Sequence, residues 1–298
     1  MRALAALAAL LAATAPAFAH GAEDHAAVLS WTFDPWVVTP LLISGALYAT
    51  GVAALWRRAG IGRGVRGWRA GCYAAGWLSL ALALTSPLHW LGEHLFTFHM
   101  IEHEIVMAIS APLIAVARPI GAMLWALPPA ARAALGQAAK GRAIRAVWRT
   151  LTTPLNATIL HGAVIWGWHA PPLFDLAVVN VLTHRLQHLS FFLSALLFWW
   201  ALVKRADYSA AVGHVFITML HTGALGALMA LAPRVLYRVQ TEHAAEWGLT
   251  PLEDQQLAGV VMWVPAGTVY AAAALVFAAL WIRSAGMDGR RDHGVRQS

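Results

Sequence analysis

Residues 94–117 read HLFTFHMIEHEIVMAISAPLIAVA, an apolar run whose first half carries histidines at 99 and 103 and glutamates at 102 and 104. The i, i+4 spacing of His99 and His103 puts both imidazoles on one helix face. Met107 continues that stripe one turn later, and Glu102 flanks it. Ionisable side chains are costly inside a bilayer, so a cluster of them points to a ligand, most plausibly a metal ion or a proton path. A zinc-protease HExxH is excluded, because the fourth residue after His103 is Met107.

Runs of the same kind recur at about 35–56, 70–90, 154–173, 186–203, 209–232 and 255–282, each near the ~20 residues that a hydrocarbon core demands. With 59% apolar and 12% charged residues and 15 tryptophans in 298, the composition excludes an ordinary soluble domain. The expected fold is all-α, a polytopic transmembrane bundle of seven spans after an N-terminal signal peptide. Residues 1–19 read as the leader, with Arg2, an Ala/Leu stretch and a small-residue site ending at Ala19. Residues 20–34 then form an outer tail, 35–283 the membrane domain and 284–298 an inner tail. Cleavage would expose His20, whose α-amine and imidazole together suit copper.

The net charge of +7 is explained by orientation rather than by nucleic-acid binding. Arg57, Arg58, Arg63, Arg66 and Arg69 fill one loop, and Arg118, Arg132, Lys140, Arg142, Arg145 and Arg149 another. Lys204 and Arg205 follow the fifth run, and Arg283, Arg290, Arg291 and Arg296 lie in the tail. The opposite loops hold Arg185, Arg234 and Arg238, so the basic loops are placed in the cytoplasm and the mature N-terminus outside. A helical stretch between Arg132 and Trp148 is expected along the inner surface. The single Cys72 permits no disulfide framework and no CxxC site, leaving imidazole and thioether as the ligands for a soft metal.

On this orientation, at 1.5 Å rise per residue, His99 lies roughly 9 Å and His103 roughly 15 Å below the outer surface. His184 and His188 repeat the i, i+4 pattern at the outer end of the fifth run, and His169 lies where the fourth ends against Pro171 and Pro172. These five histidines are the expected metal ligands, with Glu102, Met107, His221, Asp254 and Gln255 as additional ligands or their supports. His161 and His214 lie deeper; His89 and His94 are placed close to water. Thr250-Pro-Leu-Glu253 reads as a capping box, and Gly223, Gly226 and Ala227 as close helix packing.

At these positions the chain resembles the CtaG family of multi-span cytochrome c oxidase assembly proteins of bacterial plasma membranes. The matching pieces are His99-Met100 with His103 and Ala111-Pro-Leu113; Trp168-His169 with Pro171; His184 with Gln187-His188 and Phe198-Trp-Trp200; and Asp254-Gln-Gln256 with Gly259 and Met262-Trp263. The resemblance covers roughly residues 35–283. Glu104 and Arg118 depart from it, standing where a more apolar or glycine-like residue is expected. The resemblance implies a role in maturing a haem-copper oxidase at a copper centre, with an oxidase subunit as partner, rather than turnover of a substrate.

Two other classes fit the residues. A b-type haem would also take histidines from facing helices, with His103, His161 and His221 as candidates. A copper transporter would continue inward through His161 and His214. The outward bias of the histidines favours the assembly factor. The loop charges predict that alkaline phosphatase fused after Lys140 or after Arg291 will be inactive in intact cells; activity at either junction would reverse the orientation.

Overall fold

Asp34 and Pro35 open the first helix as a capped turn. Asp34 Oδ1 accepts from the Trp36 amide (3.0 Å), and Pro35 occupies a first-turn position where no N–H is needed. The computed structural model describes residues 29–295, with side chains to residue 285. The expected leader, His20 and most of the 20–34 tail therefore lie outside the described residues, as do residues 296–298 of the 284–298 tail.

Helix α1 (Pro35–Ala59) is followed by α2 (Gly67–Thr85), α3 (Pro87–His94) and α4 (Phe96–Glu104). A π turn (Ile105–Ser110) joins α4 to α5 (Ala111–Ala117), and α6 (Pro119–Trp125) lies beyond it. Next come α7 (Pro129–Ala139), α8 (Arg142–Leu151), α9 (Pro154–Trp168) and α10 (Pro171–Val179). The long helices α11 (Val181–Lys204), α12 (Tyr208–Ala230) and α13 (Pro251–Val295) complete the chain, with a short 3-10 turn (Ala244–Trp247) before the last. Among the described residues there is no strand.

Among the described residues, five segments are long and apolar enough to cross a bilayer: α1, Phe96–Ala117, α11, α12 and Pro251–Ala285 of α13. The pair α2 and α3 makes a sixth when taken as one span bent by 46°. That bend was not expected. Its cause is Ser86-Pro87, where the serine hydroxyl accepts from the Leu88 amide (3.2 Å) and the proline starts a new helix. The run at 154–173 is divided: α9 has 15 residues, and α10 restarts at Pro171. The surface helix likewise breaks at Lys140 and Gly141 into α7 and α8, both almost wholly exposed.

Phe96–Ala117 runs through the middle, packed against α2, α3, α11 and α13. Its π turn leaves one carbonyl to be satisfied from elsewhere. In i, i+5 geometry the Met107 carbonyl would take the N–H of residue 112, which is a proline and has none. The Trp199 indole supplies the missing donor at 3.0 Å. Arg118, the departure from the glycine-like expectation, adopts φ 57 and ψ 57, a left-handed conformation that closes α5 before Pro119.

Helices α12 and α13 pack closely because both present glycine. A Cβ built on Gly259 would lie 2.6 Å from the Gly226 carbonyl oxygen, and one on Gly226 would lie 2.8 Å from the Gly259 carbonyl oxygen. Gly259→Leu is therefore expected to force the two helices apart and cost about 1–3 kcal/mol. Gly136→Ala, with open space around it, is expected to be neutral or slightly stabilising. Thermal unfolding in detergent checks both, and equal transition temperatures would contradict the packing account.

Candidate metal centre

The centre begins with a helix that lacks its own cap. Leu95 precedes α4 and can offer no side-chain acceptor, so the first amides of the helix would be orphaned in an apolar interior. Asp254, fully buried at the start of α13, supplies the missing group. Its Oδ2 accepts from the Phe96 amide (2.8 Å), and its Oδ1 from the Thr97 amide (3.0 Å) and hydroxyl (2.7 Å). The carboxylate also complements the positive end of the α4 dipole.

So fixed, α4 aims His99, Glu102 and His103 at α11, all three essentially without solvent contact. One ring nitrogen from each of His99, His103 and His188 lies within 4.8 Å of the others, a set able to hold one metal ion. Ring centroids are 4.2 Å apart for His99 and His103, 4.9 Å for His103 and His188, and 5.9 Å for His99 and His188. His184 stands 4.4 Å from His188 and 5.7 Å from His99. His169, which closes α9, contacts Phe174 and Phe191, the phenylalanines that pack against His99 and His103 respectively.

The donor set fits a metal on the evidence of its unpaired atoms. His99 Nε2, both ring nitrogens of His103 and His188, and the Nε2 atoms of His169 and His184 are buried without a hydrogen-bond partner. Gln187, fully buried between the paired histidines of α11, has neither side-chain polar atom paired. Such groups are costly to leave unsatisfied, and neutral imidazole is the commonest protein ligand for a metal. His169 is pre-set for the role. Its Nδ1–H donates to the Ile165 carbonyl (2.7 Å), leaving Nε2 as the lone-pair nitrogen.

Glu102 connects the histidines. Its Oε1 accepts from His89 Nδ1 at 2.9 Å and lies 3.3 Å from His188 Nδ1. His89, placed near water by its sequence position, thus belongs beside the centre. The Ser86-Pro87 bend lays α3 across α4, and at Gly92 the approach is so close that a Cβ would lie 3.1 Å from Glu102 Oε2. A serine followed by proline is a helix-start signal, and it could have revealed the bend.

The remaining expected residues are placed differently. Met107 lies in the π turn, where the wider helical turn no longer obeys the i, i+4 rule that aligned it with His103. Its defined polar contact is the carbonyl held by Trp199. Gln255 accepts from the Leu236 amide (2.6 Å) and donates to the Arg234 carbonyl (3.3 Å), pinning the loop before α13. In that loop Tyr237 donates its hydroxyl to the His169 carbonyl (2.6 Å). Burial, with Asp175 nearby, pushes the Tyr237 phenol up to about 12, so it stays a neutral donor. His221 lies in another seam, accepting from the Trp166 indole (3.4 Å). His161 meets Ser194 (3.1 Å) and His214 meets Thr158 (3.0 Å) in the same region of α9, α11 and α12.

Against known proteins, the sequence model of the family described as cytochrome c oxidase caa3 assembly factor (Caa3_CtaG) matches residues 46–284. Proteins described as uncharacterized from Mycobacterium bovis and Mycobacterium tuberculosis are each 28% identical over 250 residues, covering 78% of this chain and 36% of theirs. One from Mycobacterium leprae is 26% identical over 254 residues, with the same coverage. The chain thus spans about a third of the length of these relatives. No solved structure matches it.

Removing the borrowed cap tests how the centre is held. Asp254→Ala leaves two buried amides and the Thr97 hydroxyl without their carboxylate, an expected loss of about 1–3 kcal/mol. Amide exchange at Phe96 and Thr97 should accelerate while that at the far end of α13 does not. Unchanged protection at both residues would contradict the capping role.

Proposed function

The chain belongs to the cytochrome c oxidase caa3 assembly factor family, and from that premise we propose that it binds copper through its histidine cluster and serves a haem-copper oxidase subunit in the same membrane. The observation that carries this reading is the buried group of His99, His103 and His188, whose ligand atoms lie within 4.8 Å of one another. His184 and His169 stand beside this set as further ligands, and Glu102, 3.3 Å from His188 Nδ1, balances charge. The site has no cysteine, so imidazole supplies the ligands; it suits copper on the oxidising side of a membrane. When bound, the ion is the cargo. The protein's residues hold it, exclude water and present it sideways.

The finer topology belongs to the same proposal. Seven spans after a cleaved leader, with the basic loops in the cytoplasm, would put the centre in the outer half of a bacterial plasma membrane. The fourth span would then be α9, shorter than its neighbours and ended by His169 just before Pro171. The tight imidazole spacing, with Phe174 and Phe191 packed against the rings, supports a bare ion over a haem macrocycle. The His161, His214 and His221 seam carries hydrogen bonds of its own and supports a helix-fastening role over an inward path.

Replacing His103 with alanine is expected to leave the protein inserted and folded yet lower the active haem-copper oxidase in copper-limited membranes. A lost ligand should cost at least the roughly 10 to 100-fold in metal affinity typical of outer-shell losses. Glu253→Ala, which removes only the capping partner of Thr250, is the control. Normal oxidase activity in membranes containing His103→Ala at wild-type abundance would rule out the copper site and favour pure scaffolding.

A further inference from the structure

At the end of the bundle opposite the histidine centre, a cavity of about 210 Å³ opens between the last turn of α1, the start of α2 and the junction of α5 with α6. Leu55, Val65, Ala122 and Trp125 give it apolar walls, and its charged lining is two guanidiniums, those of Arg69 and Arg118. Arg118 holds the left-handed conformation at φ 57, which glycine adopts at lower cost. Closing α5 therefore does not require an arginine, yet this chain places one at the cavity.

The positive charge there is uncompensated. Among the described residues, neither guanidinium forms an ion pair, nor does Lys204 at the end of α11, which is near enough to feel both. Arg69 Nε is buried without a hydrogen-bond partner. Asp207, the acidic residue next along the chain from Lys204, is engaged as the cap of α12, where it accepts from the Ala210 amide (2.7 Å). Trp125 is covered by Arg132 at 4.2 Å and Arg58 at 5.3 Å, so this wall of the cavity is basic as well. Burial and the Arg69 guanidinium hold Arg118 below its ordinary value, a strain that an anion between the two would relieve.

We infer that this cavity binds the phosphate headgroup of an anionic phospholipid, with Arg69 and Arg118 as its ligands. Guanidinium is the side chain best matched to phosphate oxygens, and the unpartnered Arg69 Nε gives the site a donor that nothing else satisfies. Lys204 adds long-range attraction from the facing helix. A lipid is favoured over free phosphate because the cavity lies at the ends of two membrane-spanning segments, α1 and Phe96–Ala117, and its other walls are apolar. Basic pockets between spanning helices take anionic headgroups in this way, and tryptophan settles at the same level of the bilayer. The site is independent of the copper reading, since it shares no residue with the histidine centre.

The test titrates the full-length protein, purified in a non-ionic detergent, with phosphatidylglycerol, with phosphatidylcholine of the same acyl chains and with inorganic phosphate, and reads thermal unfolding. Phosphatidylglycerol is expected to raise the transition temperature saturably, and the other two to leave it unchanged at equal concentration. Arg118→Gly suits the left-handed backbone, so it should fold as well as the parent yet need about five-fold or more phosphatidylglycerol for the same rise. Arg69→Gln, with the same expected loss, stands in if Arg118→Gly does not accumulate. Arg145→Ala removes one exposed charge from α8, outside the cavity, and should respond as the parent does. Equal responses to the two lipids, or equal losses in Arg118→Gly and Arg145→Ala, overturn the site and leave only diffuse surface charge. A rise with inorganic phosphate that matches phosphatidylglycerol overturns the lipid assignment.

Discussion

The carboxylate of Asp254 holds the first turn of α4, and the histidine centre depends on that contact. An interior without water leaves no solvent to satisfy the first amides of a helix, so a cap must come from the protein. Leu95 cannot provide it, and the chain brings one from 158 residues away. The consequence is mechanical. The helix that carries His99, Glu102 and His103 is registered to α13 by charge-assisted hydrogen bonds, and α13 is registered to α12 by the glycine contact of Gly226 and Gly259. Next along α13, Gln255 fixes the loop whose Tyr237 holds the His169 carbonyl. One turn of one helix thus positions two walls of the site.

That arrangement explains which parts of the protein were legible in the sequence. The i, i+4 pairs could be read because a regular helix fixes the angle between residues four apart, and α4 and α11 are regular at those positions. The convergence of the two pairs could be expected because polar groups in lipid seek each other. His89 could not be placed by depth alone, since depth assumes a straight helix and Ser86-Pro87 bends this one. The surroundings of Met107 were hidden for the converse reason. The π turn leaves the Met107 carbonyl to Trp199, a partner 92 residues away that no local pattern contains. The Asp254-Gln-Gln run looked like support for a ligand. Its polar groups instead hold backbone, an equally common use of polar side chains in a low-dielectric interior.

The aromatic residues that fill the space between these polar groups set the size of the centre. Phe96, Phe174 and Tyr237 contact one another edge-on or tilted at 4.9 to 5.1 Å, and Phe174 and Phe191 lie against His99 and His103. Rings of this size pack rigidly and leave the imidazoles few rotamers, which lowers the entropy lost when a ligand is bound. A rigid, water-poor shell also makes every charge inside it count for more.

Charge then decides what such a shell can hold. Neutral imidazoles bring no charge of their own, so an ion among them must be balanced by carboxylates close at hand or leave an uncompensated charge in low dielectric. An ionised Glu102 alone would balance one monovalent ion. A divalent ion in the same place would leave one positive charge over, at a depth where relief by water is poor. The other carboxylates at this end are placed differently: Glu93, half exposed, approaches His89, and Asp34 is committed to Arg185. The same electrostatic argument that makes the histidines expensive in lipid therefore bears on the charge of any ion they could hold.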